Sequence, residues 1–140
     1  MRPALPLLLV ALLALPACSD SPTEPDVTLR LTGSLTRGTR VDHPLPLDHG
    51  GNVTFTLEDL RIVLLDTTNT PPSAIALILG LGRRDVAGGA CEINTTAVLR
   101  EGSVSSFGLR AGEYCVVVFD NGFLPEESRL EYTLLAEFTD

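Results

Sequence analysis

Residues 53–58 read Val-Thr-Phe-Thr-Leu-Glu, an alternation of apolar and polar side chains that decides the fold of this chain. Successive side chains of a β-strand point to opposite faces of the sheet, so a period of two predicts a strand with one buried face. A similar alternation recurs at Val27–Thr32, Tyr114–Asp120 and Tyr132–Glu137, while helical periodicity is scarce.

Turn residues and short apolar runs extend this pattern along the chain. The runs Arg61–Asp66 and Ala74–Leu81 suit strands of a sandwich core, although Ala74–Leu79 alone also fits a helical turn. The segments between runs are rich in glycine, proline and asparagine: His49–Asn52, Asn69–Pro72, Gly88–Gly89 and Asn121–Gly122. Together they predict an all-β fold, an antiparallel β-sandwich of about eight short strands.

Composition limits the classes of partner. The 140 residues include 18 acidic and 10 basic side chains, giving a formal net charge of −8. Such a surface disfavours nucleic acid and is repelled by anionic lipid headgroups. With no tryptophan, 2 tyrosines and 5 phenylalanines, the chain is also poorly supplied with stacking platforms for bases or sugars.

The amino-terminal segment has the features of an export signal. Arg2 precedes the apolar run Leu5–Leu15, which has the length of a secretory signal core and is shorter than the ~20 residues that span a bilayer. The alternative is a buried core helix followed by an ordinary cysteine. Ser19–Asp26 is polar, acidic and broken by two prolines, so it predicts a flexible tether.

The stretch Leu15-Pro16-Ala17-Cys18 resembles the lipobox of bacterial lipoproteins. The resemblance implies that the Cys18 thiol receives a diacylglycerol, that the signal is cut just before it, and that the new amino terminus is acylated by a fatty acid such as palmitate. Ser19 in the next position implies the outer membrane, facing the periplasm or the outside, and Asp20 weakens that expectation. The predicted division is a signal peptide over 1–17, a lipidated cysteine and tether over 18–26, and a β-sandwich over 27–140.

The two remaining cysteines, Cys91 and Cys115, are predicted to form a disulfide. An exported chain meets an oxidising compartment, where leftover cysteines usually pair. A metal site or a reactive thiol are the alternatives, but the spacing contains no Cys-x-x-Cys motif.

Three segments resemble the bacterial pre-peptidase C-terminal domain, over about Arg40–Phe138. They are Gly51–Leu57, like the family's opening strand, Leu79–Gly82, like a glycine-punctuated strand end, and Leu109–Asp120, like its aromatic strand after Ala-Gly. The resemblance implies a jelly-roll-like sandwich. It also implies a noncatalytic role, since such domains are usually accessory to secreted enzymes.

Paired aspartate and histidine residues are the first candidates for chemistry. Asp42–His43 and Asp48–His49 offer carboxylate and imidazole groups, which bind zinc or transfer protons. In a strand the two histidines would lie on the same side, roughly 20 Å apart. They converge only if Pro44 and Pro46 fold the segment back. The alternative is a solvated strand and turn.

A second candidate is the acidic group Asp120, Asn121, Glu126 and Glu127, whose oxygen atoms would suit calcium. The spacing matches no known calcium loop, and a solvated acidic turn is the alternative. We therefore predict that neither candidate group holds a metal ion tightly, and no cofactor is expected.

No catalytic signature stands out, since Ser103, Ser105 and Ser106 lack a nearby histidine or a Gly-x-Ser-x-Gly context. The sequence predicts a lipid-anchored β-sandwich of the cell envelope that displays a noncatalytic surface for a protein or a glycan. The alternatives are a metal-dependent hydrolase or enzyme-accessory module, and a mainly structural envelope protein.

Overall fold

The computed structural model describes residues 27–65, 76–84 and 89–140, and these residues form eight β-strands and no helix. This confirms the all-β class. The strands are β1 (Val27–Leu35), β2 (Arg40–Leu47), β3 (Gly51–Leu64), β4 (Leu77–Arg84), β5 (Cys91–Leu99), β6 (Val104–Leu109), β7 (Gly112–Phe119) and β8 (Ser128–Thr139). The predicted signal, Cys18 and tether, like the turn at 69–72, lie outside the described residues.

The strands form two four-stranded sheets, with the orders β1-β8-β3-β6 and β2-β7-β4-β5. The antiparallel pairs β1·β8, β2·β7, β3·β6 and β4·β5 are nested, like one long hairpin folded across two sheets. The pairs β3·β8 and β4·β7 then complete each sheet. This strand order is that of a jelly roll, which confirms the predicted antiparallel sandwich.

Alternating side chains from both sheets fill the space between them. In β8 every second residue from Ser128 to Phe138 is buried, and in β3 the side chains of Val53, Phe55 and Leu57 have no exposed surface. Burial of each large apolar side chain stabilises the fold by about 1.5–3 kcal/mol. Aliphatic side chains form most of this core.

The structure corrects the expectation of separate short strands at 53–58 and 61–66. The first segment and Arg61–Leu64 belong to one strand of 14 residues, β3. A register shift between Leu57 and Asp59 inserts one extra residue into β3 opposite β8. Such a bulge changes which residues face inward, so Leu60 is buried three positions after Leu57. The break in the sequence pattern is therefore a bulge and not a turn.

Residues 40–47 form the regular strand β2 although they include Pro44 and Pro46. β2 lies at the edge of its sheet, where one side of the strand has no neighbour. A proline nitrogen, which has no N–H to donate, can face that side without loss of a hydrogen bond between strands. The segment is therefore extended. A joint site for His43 and His49 would require it to fold back, and it does not.

The predicted disulfide is present and joins Cys91 of β5 to Cys115 of β7, with the Cα atoms 5.8 Å apart. Because β4 lies between these strands, the bridge crosses β4 on the outer face of the sheet. It packs there with Val117 in an apolar cluster separate from the main core. Gly82 of β4 pairs with Cys115, and a Cβ atom on it would collide with the backbone of Glu92.

The register places the chain connections at two opposite ends of the sandwich. Val27 pairs with Phe138 at the end that also holds the 48–50 turn and Asp140, and we call this end the terminal pole. Leu64 pairs with Ser128 at the other end, which holds residues 36–39 and 120–127, and we call it the loop pole. The 12 residues of β8 span the distance between the poles, about 40 Å at ~3.3 Å per residue.

Candidate functional site

The loop between β7 and β8 is organised around one carboxylate. Asp120 Oδ2 accepts hydrogen bonds from the backbone N–H groups of Gly38 and Gly122, both at 2.8 Å. Asp120 Oδ1 accepts from the N–H groups of Phe123 at 3.1 Å and Leu124 at 3.2 Å. Gly122 has a φ of 85°, a conformation that favours glycine. The loop is thus held in one shape by its own backbone.

The same contacts join this loop to the β1–β2 turn. The Asp120 N–H donates to the Thr39 carbonyl oxygen at 3.1 Å. Arg37 Nη1 lies 2.9 Å from Glu126 Oε1 in an exposed ion pair, which adds little by itself. The turn is closed by Thr39 Oγ1, which accepts from the Thr36 N–H at 2.9 Å and donates to the Thr36 carbonyl at 2.8 Å. Residues 36–39 and 120–127 therefore form one unit, here called the two-loop surface.

Phe123 projects from the two-loop surface and is 83% exposed, whereas the next residue, Leu124, is buried in the core. The ring borders an apolar recess of about 340 Å³, which Phe119, Ile78 and Val98 also line. Val98 is itself 65% exposed. A large exposed aromatic beside further apolar surface is characteristic of protein-interaction sites.

Two of the four candidate calcium ligands have other partners in this loop. The carboxylate of Asp120 is surrounded by backbone donors, and Glu126 pairs with Arg37, whereas Asn121 and Glu127 are exposed. Over residues 27–65, 76–84 and 89–140, no three His, Cys, Asp or Glu side chains are grouped so that they could hold a metal ion. The geometry thus makes Asp120 a loop-organising acceptor.

His43 and Asp42 each contact a neighbour that the sequence did not indicate. His43 Nε2 lies 2.7 Å from the Tyr132 hydroxyl, which links β2 of one sheet to β8 of the other. Burial lowers the pKa of His43 and raises the pKa of Tyr132. Asp42 accepts two hydrogen bonds from Arg40, at 2.8 and 2.7 Å, and this contact lowers the pKa of Asp42.

His49 lies beyond the end of β2, at the terminal pole. Its Nε2 atom is 2.8 Å from Asp140 Oδ1, and its ring contacts the edge of Phe138 at a centroid distance of 5.1 Å. His43 contacts Tyr132 instead, so the structure does not bring the two histidines into one site. Both have contacts typical of structural residues.

Phe123 was missed by the sequence analysis, which treated the segment after Asn121–Gly122 only as a possible calcium loop. The available signal was a large aromatic residue directly after a turn dipeptide and before an acidic pair, Glu126 and Glu127. Cys18 lies outside the described residues. Within the described ranges, no helix has the length and apolar character needed to cross a membrane.

Comparison of the sequence with models of known protein families gives no match, and comparison with curated proteins gives none either. Among solved structures, the chain is similar to Aeromonas hydrophila PliG, a periplasmic lysozyme inhibitor of g-type lysozyme. The two share 11% sequence identity with a TM-score of 0.50, over 80% of this chain and 86% of that one. At this identity, the similarity is one of fold.

Proposed function

We propose that this chain is a noncatalytic, lipid-anchored module of the cell envelope that binds a protein through the two-loop surface. The observation that carries the proposal is Phe123, 83% exposed on a loop that four backbone hydrogen bonds to Asp120 hold in place. Large aromatic residues at the centre of an interface often contribute about 2 kcal/mol or more to binding.

The rigidity of the loop favours binding because an ordered loop loses little conformational entropy when a partner docks. Asp120 fixes the backbone on both sides of Phe123, and Leu124 anchors the loop in the core. The ring is thus presented before a partner arrives. This arrangement supports recognition of a recess in a protein better than a flat stacking platform for a glycan.

Anchoring through Cys18 is part of the proposal and depends on the lipobox resemblance. The Cys91–Cys115 disulfide supports export, because such bridges persist mainly in oxidising compartments. The fold likeness to a periplasmic protein is consistent with an envelope location. The resemblance to the pre-peptidase C-terminal domain stays a prediction, and it also favours a noncatalytic role.

The first partner to test is a g-type lysozyme, since the structural neighbour is named as an inhibitor of that enzyme. The net charge of −8 would speed association with a basic protein. Binding of residues 27–140 to g-type lysozyme is measured by calorimetry, and lytic activity is followed in parallel. We expect a complex that Phe123→Ala weakens about 30-fold or more, equivalent to about 2 kcal/mol.

Val104→Ala is the matched control, because Val104 is 58% exposed but lies on the edge strand β6, outside the two-loop surface. It should leave the affinity unchanged. An equal loss from both variants would rule out Phe123 as the contact residue. Binding to peptidoglycan fragments but not to protein would favour the glycan alternative. The absence of any complex with lysozyme would remove that enzyme as the partner.

A further inference from the structure

We propose that the two-loop surface faces away from the anchoring membrane and takes a protein dissolved in the aqueous compartment, whose apolar recess receives the Phe123 ring. This inference rests on the proposed function, since it assumes lipid attachment at Cys18 and recognition through Phe123. It adds the orientation of the site and the class of partner that can reach it.

The chain path determines the orientation. The predicted tether, residues 18–26, is followed directly by Val27, which pairs with Phe138 at the terminal pole. From there β1 runs toward the loop pole, where Leu35 pairs with Leu130. The lipid would therefore attach at one end of the sandwich, and Phe123 projects from the other end.

The length of the tether excludes the inverted arrangement. Residues 18–26 can extend at most about 30 Å, even when fully stretched at ~3.3–3.6 Å per residue. The ten residue-to-residue steps of β8 from Ser128 to Phe138 already span about 33 Å, and the Phe123 loop lies beyond Ser128. The tether is thus too short to run back along the sandwich and bring the loop pole onto the membrane end-on.

Charge disfavours the remaining arrangement, in which the sandwich lies flat on the membrane. The chain has a net charge of −8, and anionic headgroups repel such a surface. Close to Phe123, Glu126 pairs with Arg37, which is the basic residue of the two-loop surface. This surface therefore presents no unpaired basic side chain to lipid phosphates. A soluble protein with an apolar recess suits the ring better than a bilayer does.

Energy transfer from the protein to the membrane surface tests the orientation. The full lipidated chain is placed in vesicles of phosphatidylethanolamine and phosphatidylglycerol that carry an acceptor dye on the headgroups. Asn121→Cys and Asp48→Cys place a donor dye at the loop pole and the terminal pole, respectively. These thiols would be the free ones, because Cys18 would be acylated and Cys91 is bridged to Cys115.

We expect strong transfer from the donor at position 48 and several-fold weaker transfer from the donor at position 121. Equal transfer, or stronger transfer from position 121, would overturn the orientation and would indicate a loop that touches the bilayer. This result does not depend on any partner, so it distinguishes a wrong orientation from a failure of the proposed protein binding. Where g-type lysozyme binds the soluble domain, vesicle-bound protein should bind it within about twofold of the same affinity, and a tenfold loss would contradict a membrane-distal site.

Discussion

Removal of the Cys91–Cys115 bridge should destabilise the sandwich strongly without abolishing its fold. The bridge joins residues 24 apart in sequence, and the chain-entropy model assigns about 3.4 kcal/mol to closing a loop of that size in the unfolded chain. The main core contains neither cysteine, so the apolar contacts between the sheets stay in place. For a domain of this size, the loss corresponds to a decrease of about 10–20 °C in Tm.

Packing around the bridge determines which variant to use. Cys115 is fully buried and Cys91 is 5% exposed, so serine would bury a hydroxyl without a partner. Alanine at both positions removes the bridge and leaves a small cavity beside Val117, which adds about 1 kcal/mol to the loss. Reduction of the native protein removes the bridge with the sulfur atoms still present, and should therefore cost slightly less.

Urea unfolding of residues 27–140 with and without reductant gives the free energy directly, and hydrogen exchange locates the change. Amides of the edge strand β5 should lose more protection than those of the central strand β8, because β5 would keep only its pairing with β4. A loss of less than about 1 kcal/mol, or an equal loss of protection in β5 and β8, would refute this account of the bridge.

Four further substitutions and one pH titration test the rest of the structure. Gly82→Ala should destabilise the protein by more than about 2 kcal/mol in urea unfolding, because the added Cβ collides with the backbone of the neighbouring strand. Asp120→Ala leaves four backbone N–H groups without their acceptor and should cost about 1–3 kcal/mol, with faster proteolysis within residues 121–124 as the local readout. Tyr132→Phe removes the hydrogen bond to His43 and should cost about 1 kcal/mol, measured at pH 8. Burial lowers the pKa of His43 below the unfolded value of ~6.5, so the unfolded chain binds the proton first. Stability should therefore be constant above about pH 6.5 and decrease below it, by at most ~1.4 kcal/mol per pH unit, and His43→Gln should flatten this slope between pH 5 and 6.5.

The strands with one fully buried face could be predicted from the sequence. In β8 and in the first half of β3, inward and outward positions differ sharply in burial, so the alternation of apolar and polar residues is clear. The edge strand β5 is mostly exposed, and the inward face of the edge strand β6 is only half-buried, so their sequences carry a weaker alternation. β5 forms because it pairs with β4, and β6 forms because it pairs with β3. Sequence periodicity does not indicate such pairing.

The candidate site could not be predicted in the same way, because its properties depend on backbone conformation. An aspartate that accepts backbone N–H groups and an aspartate that binds calcium look alike in sequence, and only the turn around Gly122 places the donors on Asp120. Likewise, Phe123 and the buried Phe55 are the same residue type, and only the course of the loop exposes one of them. The disulfide could be predicted because the expectation of export, together with two cysteines left after Cys18, already favoured pairing.

The jelly roll itself places Val27, where the described chain begins, at the pole opposite the two-loop surface. Because successive antiparallel strands reverse direction, a chain that enters at the terminal pole returns there after eight strands. The β1–β2 and β7–β8 connections must then lie together at the opposite pole, where Asp120 joins them. Side chains such as Phe123 can change there with little effect on the core, provided that Asp120, Gly122 and Leu124 keep the loop in shape. The fold thus supplies a stable support on which exposed loop residues can differ without loss of the core.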